Sequence, residues 1–113
     1  MRVFGQLAEP NMVNASKLCL LLDKNDIRLR SAVYTACTSF IKRCRAKVQY
    51  VRSVNGELER LRDCLAKAWT RETGGIGESI APGGATDIRA AIIELENLTA
   101  AYEEFSERAH VGN

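Results

Sequence analysis

Between Ile27 and Thr70 the apolar positions recur every three and four residues. With Val33 at heptad position d, the d positions are Val33, Phe40, Lys47, Val54, Leu61 and Ala68, and the a positions are Cys37, Cys44, Val51, Leu58 and Leu65. Lys47 is the one break in this seam. A 3.5-residue repeat sustained in this way keeps one face of a long helix turned toward a partner. The f positions, which include Arg28, Lys42, Gly56 and Asp63, carry no large apolar residue, as a solvent-facing side requires. The pattern predicts one long helix over 26–73. Asn55-Gly56 is a turn pair inside it, and glycine costs a helix about 1 kcal/mol against alanine. Yet Val54, Leu58 and Leu61 keep the register of Cys44 and Val51, so the helix reads as continuous there. The alternative is a compact four-helix bundle with its corner at Asn55.

The rest of the chain divides around that helix. Residues 1–12 read as an arm with a turn at Pro10-Asn11. Residues 13–23 read as a short helix capped by Asn14 or Ser16, with Ala15, Leu18, Cys19 and Leu22 on one face. Leu20 and Leu21 widen that face, so the helix is expected to be largely buried. Asn25 and Asp26 are candidate caps for the long helix. Gly74 is a left-handed helix stop and opens a glycine-rich loop over 74–85. This loop lacks the third glycine, the lysine and the Ser/Thr of a phosphate-binding loop, so it reads as a hairpin tip. The last helix, 86–109, has Thr86 as its cap and Asp87 at its positive end. Its seam is Ile88, Ala91, Leu95, Leu98, Tyr102, Phe105 and Ala109.

The fold class expected is all-α: a long helix with shorter antiparallel helices, as a helical hairpin or three- to four-helix bundle with coiled-coil-like packing. At 113 residues it is a single domain, 1–113. The first and last helices would lie end to end along the long one. Three helices in that layout form an open layer that leaves part of a wide stripe bare, which predicts a homodimer or higher homo-oligomer. The interface seam would be Val33, Tyr34, Cys37, Phe40, Ile41, Cys44, Val48 and Val51.

Charge adds an asymmetry that the net +2 hides. Residues 27–54 hold seven basic side chains (Arg28, Arg30, Lys42, Arg43, Arg45, Lys47 and Arg52) and no acidic one, whereas residues 55–113 hold six basic and eleven acidic. The two halves can neutralise each other within the fold, or the basic face can meet an acidic partner.

Chemistry-bearing residues are sparse. Cys19, Cys37, Cys44 and Cys64 form no C-x-x-C pair, and His110 is the single histidine. No metal site and no cofactor follow from that spacing. Three of the four cysteines read as small buried residues in a reducing compartment. No Ser/His/Asp set or paired carboxylates point to catalysis, so an enzyme is not expected. Met1–Pro10 has no apolar signal-like core, and Leu18–Leu22 is too short to span a bilayer. A cytoplasmic protein without a membrane partner is therefore expected.

The reading is a non-catalytic helical protein–protein interaction module that self-associates or docks onto partner helices. The alternative is a small nucleic-acid-associated subunit using the basic face of residues 28–52 on phosphates, of the phage, plasmid or defence type. The layout also loosely resembles the helical-hairpin proteins of type VII secretion, with Trp69 close to the hairpin turn. Trp69 is followed by Thr70 and Arg71 where that family has x-Gly, and Tyr102 has Ser106 rather than an acid four positions on. The chain is not assigned to that family.

Overall fold

The computed structural model describes residues 6–47, 51–74 and 84–111, with the side chains of 51–53, 84–85 and 108–111 outside the description. Among these residues there are four α-helices: α1 (Met12–Lys24), α2 (Arg30–Ala46), α3 (Val51–Thr73) and α4 (Gly84–Val111), with a 3-10 turn at Ile27–Leu29 before α2. The chain is all-α, as its hydrophobic periodicity predicts.

The start of α1 is built by two asparagines. Asn11 caps it, its side chain accepting the Asn14 N–H at 2.8 Å; Asn14 and Ser16 lie inside the helix. Asn14 is itself buried and donates through Nδ2 to the carbonyls of Gln6 (3.0 Å) and Glu9 (2.9 Å). That anchor folds residues 6–10 back onto α1 and buries Leu7 and Ala8. The helix ends at Asn25 in the left-handed region (φ 51°), whose N–H donates to the Leu21 carbonyl. Asp26 then caps the 3-10 turn by accepting the Arg28 N–H at 3.0 Å. Leu20, expected inside, is half-exposed.

The single helix expected over 26–73 is two helices. α2 ends at Lys47 (φ −127°, ψ 68°), whose N–H donates to the Cys44 carbonyl at 3.1 Å. α3 then runs without interruption through Asn55-Gly56. The corner therefore lies beyond Lys47, the one polar residue of the seam, and not at Asn55. Antiparallel return is shown by Arg30 Nη1 at 2.9 Å from Glu72 Oε1; in one straight helix these residues would stand about 63 Å apart. Gly74 adopts φ 67° and ends α3 as predicted. Residues 75–83 of the glycine-rich loop lie outside the described residues. α4 begins at Gly84, so Thr86 stands within it rather than capping it, and Asp87 sits in its first turn.

The helices close a ring in the order α1, α3, α4, α2. α1 lies along α3, with Ser16 meeting Glu57 and Asp23 meeting Cys64. α2 lies along α4, with Ser31 meeting Asp87 and Arg45 meeting Glu94. Each helix contributes to one core: Leu18 and Leu22, Phe40 and Ile41, Leu61 and Leu65, Ile88 and Leu98 are all fully buried. Trp69 is half-buried against this core. The expected open layer is thus replaced by a closed bundle, because the fold-back after α2 supplies the fourth helix that the stripe was missing. The bare stripe from which self-association was argued is covered by the chain itself.

Candidate helix-docking groove

The interface seam expected from sequence lies inside the molecule. Val33, Tyr34, Cys37, Phe40, Ile41 and Cys44 are at most 3% exposed. They are not available on the surface of the closed bundle. Val48 lies outside the described residues, and so does the side chain of Val51.

The basic set is scattered over several faces and largely engaged. Arg28 pairs with Asp26 through two contacts of 3.3 Å, which hold the Asp26 carboxyl below the usual carboxylate range. Arg30 pairs with the buried Glu72 and donates to Asn25 Oδ1 at 3.1 Å. Arg43 stands 3.8 Å from Glu9, and Arg45 stands 3.4 Å from Glu94. Lys42 and Lys47 are exposed; the Arg52 side chain lies outside the described residues. Two of these pairs, Arg30–Glu72 and Arg45–Glu94, join the basic stretch to the acidic half, one of the two ways of neutralising the asymmetry. Tyr34 adds its hydroxyl to Glu72 Oε1 at 3.3 Å. Burial, with the Glu72 carboxylate beside it, pushes that phenol up to about 12.

Three cysteines from three helices, Cys19, Cys37 and Cys64, gather in the core, and the Cys64 thiol donates to Asp23 Oδ1 at 3.6 Å. Burial raises all four thiols, Cys19 and Cys44 to about 12. They stay protonated at neutral pH, which makes them poor nucleophiles and poor ligands. Among the described residues no group of three or more His, Cys, Asp or Glu is placed to hold a metal ion.

What the surface does carry is a groove of about 450 Å³ between α3 and α4. Arg62 and Ala66 form its α3 side, and Ile92, Leu95, Glu96, Thr99, Ala100 and Glu103 its α4 side. The sequence explains the hollow. Leu61, Leu65 and Ala68 turn inward from α3 and Leu95 and Leu98 from α4, so the next positions around each helix border the furrow. Those positions hold small residues, Ala66, Thr99 and Ala100, which do not fill it. The Thr99 hydroxyl donates to the Leu95 carbonyl at 3.0 Å, so it asks nothing of a ligand. Arg62 lies on one rim, 3.9 Å from Asp63, and Glu96 and Glu103 lie on the other, all exposed.

Sequence reasoning passed over this groove. The seam of the last helix is legible in the sequence. A signal existed in the small residues one step off the seam, Ala66 on one helix and Thr99-Ala100 on the other. It carries meaning only once α3 and α4 are known to be neighbours. No protein-family model, curated protein or solved structure matches this chain.

Proposed function

We propose that the protein is a non-catalytic helical interaction module that receives an amphipathic helix of a protein partner in the α3–α4 groove. The observation that carries the reading is the groove's make-up: an apolar floor, small walls and rims of opposite charge. Its volume falls within the range of binding sites. Glu96 and Glu103 lie seven residues apart, about 10.5 Å or two helical turns, the repeat at which one face of a docked helix recurs. The charged rims supply orientation more than affinity.

The nucleic-acid reading draws less support, because Arg28, Arg30, Arg43 and Arg45 all have carboxylate partners. A reducing, cytoplasmic setting is favoured by four cysteines that remain free. No described helix is long and apolar enough to cross a membrane.

A photo-crosslinking residue placed at Ala100 tests the proposal in cells that make the protein, with the same residue at exposed Thr35 on α2 as control. Discrete protein adducts are expected at position 100, absent at position 35, and abolished when Ala66→Trp fills the groove. Equal labelling at both positions, or none at either, overturns the reading.

A further inference from the structure

The outer side of α1 is the counterpart of the groove. Val13, Lys17, Leu20 and Lys24 follow one another at four, three and four residues, so they share one helix face. The buried face of α1, Ala15, Leu18, Cys19 and Leu22, lies on the opposite side. Val13 is 62% and Leu20 52% exposed. Both lysines are exposed as well. The stripe borders a shallow hollow of about 280 Å³ beside Leu7 and Leu21. It is therefore an apolar ridge with cations at both ends of Leu20.

The spacing of those cations matches the groove. Lys17 and Lys24 are seven residues apart, as are Glu96 and Glu103, so both pairs span about 10.5 Å along their helix axes. With the pairs aligned, Leu20 falls on the small residues Thr99 and Ala100 whichever way the helix runs. An aliphatic knob thus meets a small-walled hollow, and two cations meet two carboxylates. α1 and the groove lie on different sides of the ring, with α3 between α1 and α4. The α1 stripe points away from its own core, so one chain does not satisfy its own groove.

We propose that the groove's occupant is the α1 stripe of a second copy of this chain, giving head-to-tail self-association. This rests on the reading of the groove as a helix-docking site. It uses surfaces distinct from the buried seam. Because the two surfaces differ, the contact is heterologous, and copies add successively into a ring or an open row instead of stopping at a dimer. The contact is small and its charges are exposed, so association is weak and salt-dependent.

The test is sedimentation velocity on the full chain from micromolar to near-millimolar concentration, at low and high salt. It compares wild type, Lys17→Glu/Lys24→Glu, Glu96→Lys/Glu103→Lys, and an equimolar mixture of the two variants. Wild type is expected to grow beyond twice its 12.5 kDa mass with concentration at low salt and to return to monomer at high salt. Each variant alone carries like charges on both surfaces and stays monomeric. In the mixture every stripe meets a groove of opposite charge, so assembly is restored, and that recovery also shows that both variants are folded. A wild type that stays monomeric throughout overturns the proposal, as does either variant keeping wild-type assembly. If wild type is monomeric while position 100 crosslinks to a different protein, self-docking fails and the helix-docking reading stands.

Discussion

Asn55-Gly56 and Lys47 invert what local propensity says of them. The first is a strong turn pair and stays in the middle of α3; the second carries no turn chemistry and ends α2. Burial explains both. Val54, Leu58 and Leu61, around the turn pair, are at most 6% exposed. Each such side chain gains about 1.5–3 kcal/mol from burial, against about 1 kcal/mol for glycine in a helix. Gly56 faces outward, so its flaw costs only backbone entropy. At Lys47 a continuing helix would carry an ammonium group into the seam, and taking such a charge out of water costs several kcal/mol. Ending the helix there leaves the lysine exposed. A residue that cannot be buried shapes this chain more than one that merely prefers a turn.

If burial decides both places, charging the core should undo both, and this is the largest effect expected. Burial pushes the Cys19 and Cys44 thiols up to about 12 from an ordinary 9.0. Below pH 9 folded and unfolded chains both hold these protons, and the full stability is present. Above it only the unfolded chain releases them. Each such thiol then costs about 1.4 kcal/mol per pH unit until its folded value is reached. Tyr34 adds to the loss above its ordinary 10.0. Helical circular dichroism should hold from pH 7 to about 9 and collapse before 12. A signal flat to pH 12 would mean the thiols are not sealed in a common core.

Glu72→Lys comes next, and it tests the fold-back at Lys47 directly. The substitution sets a second cation beside Arg30, in a place where the Glu72 side chain is 2% exposed. Removing one partner of a buried pair costs about 3–5 kcal/mol, so urea unfolding should shift by about 4 kcal/mol. In one straight helix over 26–73 residues 30 and 72 would never meet. The same change would then be an ordinary surface substitution, within about 0.5 kcal/mol.

That distinction marks what the sequence holds and what it does not. Periodicity carries the first and last helices to within a few residues, since burial repeats along a helix whatever it packs against, but it merges α2 and α3 into one. Thus 13–23 and 86–109 become Met12–Lys24 and Gly84–Val111. The corner was hidden because Cys44, Val51 and Val54 keep heptad spacing across it. Two helices whose apolar faces happen to stay in phase read as one. The groove was hidden for another reason: Ala66 and Ala100 belong to different helices, and their proximity is a fact of the ring order alone. Asn14 reads as a cap because its type is right for one, while its actual partners, the Gln6 and Glu9 carbonyls, depend on how the preceding turn folds.

Leu61→Ala removes part of the burial that carries α3 through its weak pair. A fully buried leucine truncated in a core costs about 3 kcal/mol. The loss should appear as a lower urea midpoint with the slope unchanged, the mark of a change in stability and not in compactness. If the helix frays at Asn55-Gly56 once this support is gone, amide exchange at residues 54–58 will accelerate more than exchange at 66–70. Uniform acceleration would instead mean that α3 opens as one unit with the rest of the bundle.

Gly56→Ala is the smallest change and the sharpest on the comparison. A Cβ built at Gly56 meets nothing within 4 Å, so alanine brings no clash. It lowers the entropy of the unfolded chain and raises helix propensity, for a gain of about 1 kcal/mol. Thermal unfolding should rise by about 4 °C. Had the chain turned at Asn55-Gly56, glycine would be serving a left-handed or otherwise strained backbone there, and alanine would lower stability instead. At Lys47 the backbone sits at φ −127°, a value open to any residue, so Lys47→Gly gains no turn geometry and removes only a side chain. A stabilising alanine at the turn pair beside no gain from glycine at the corner would show that tertiary burial, and not turn chemistry, places the break.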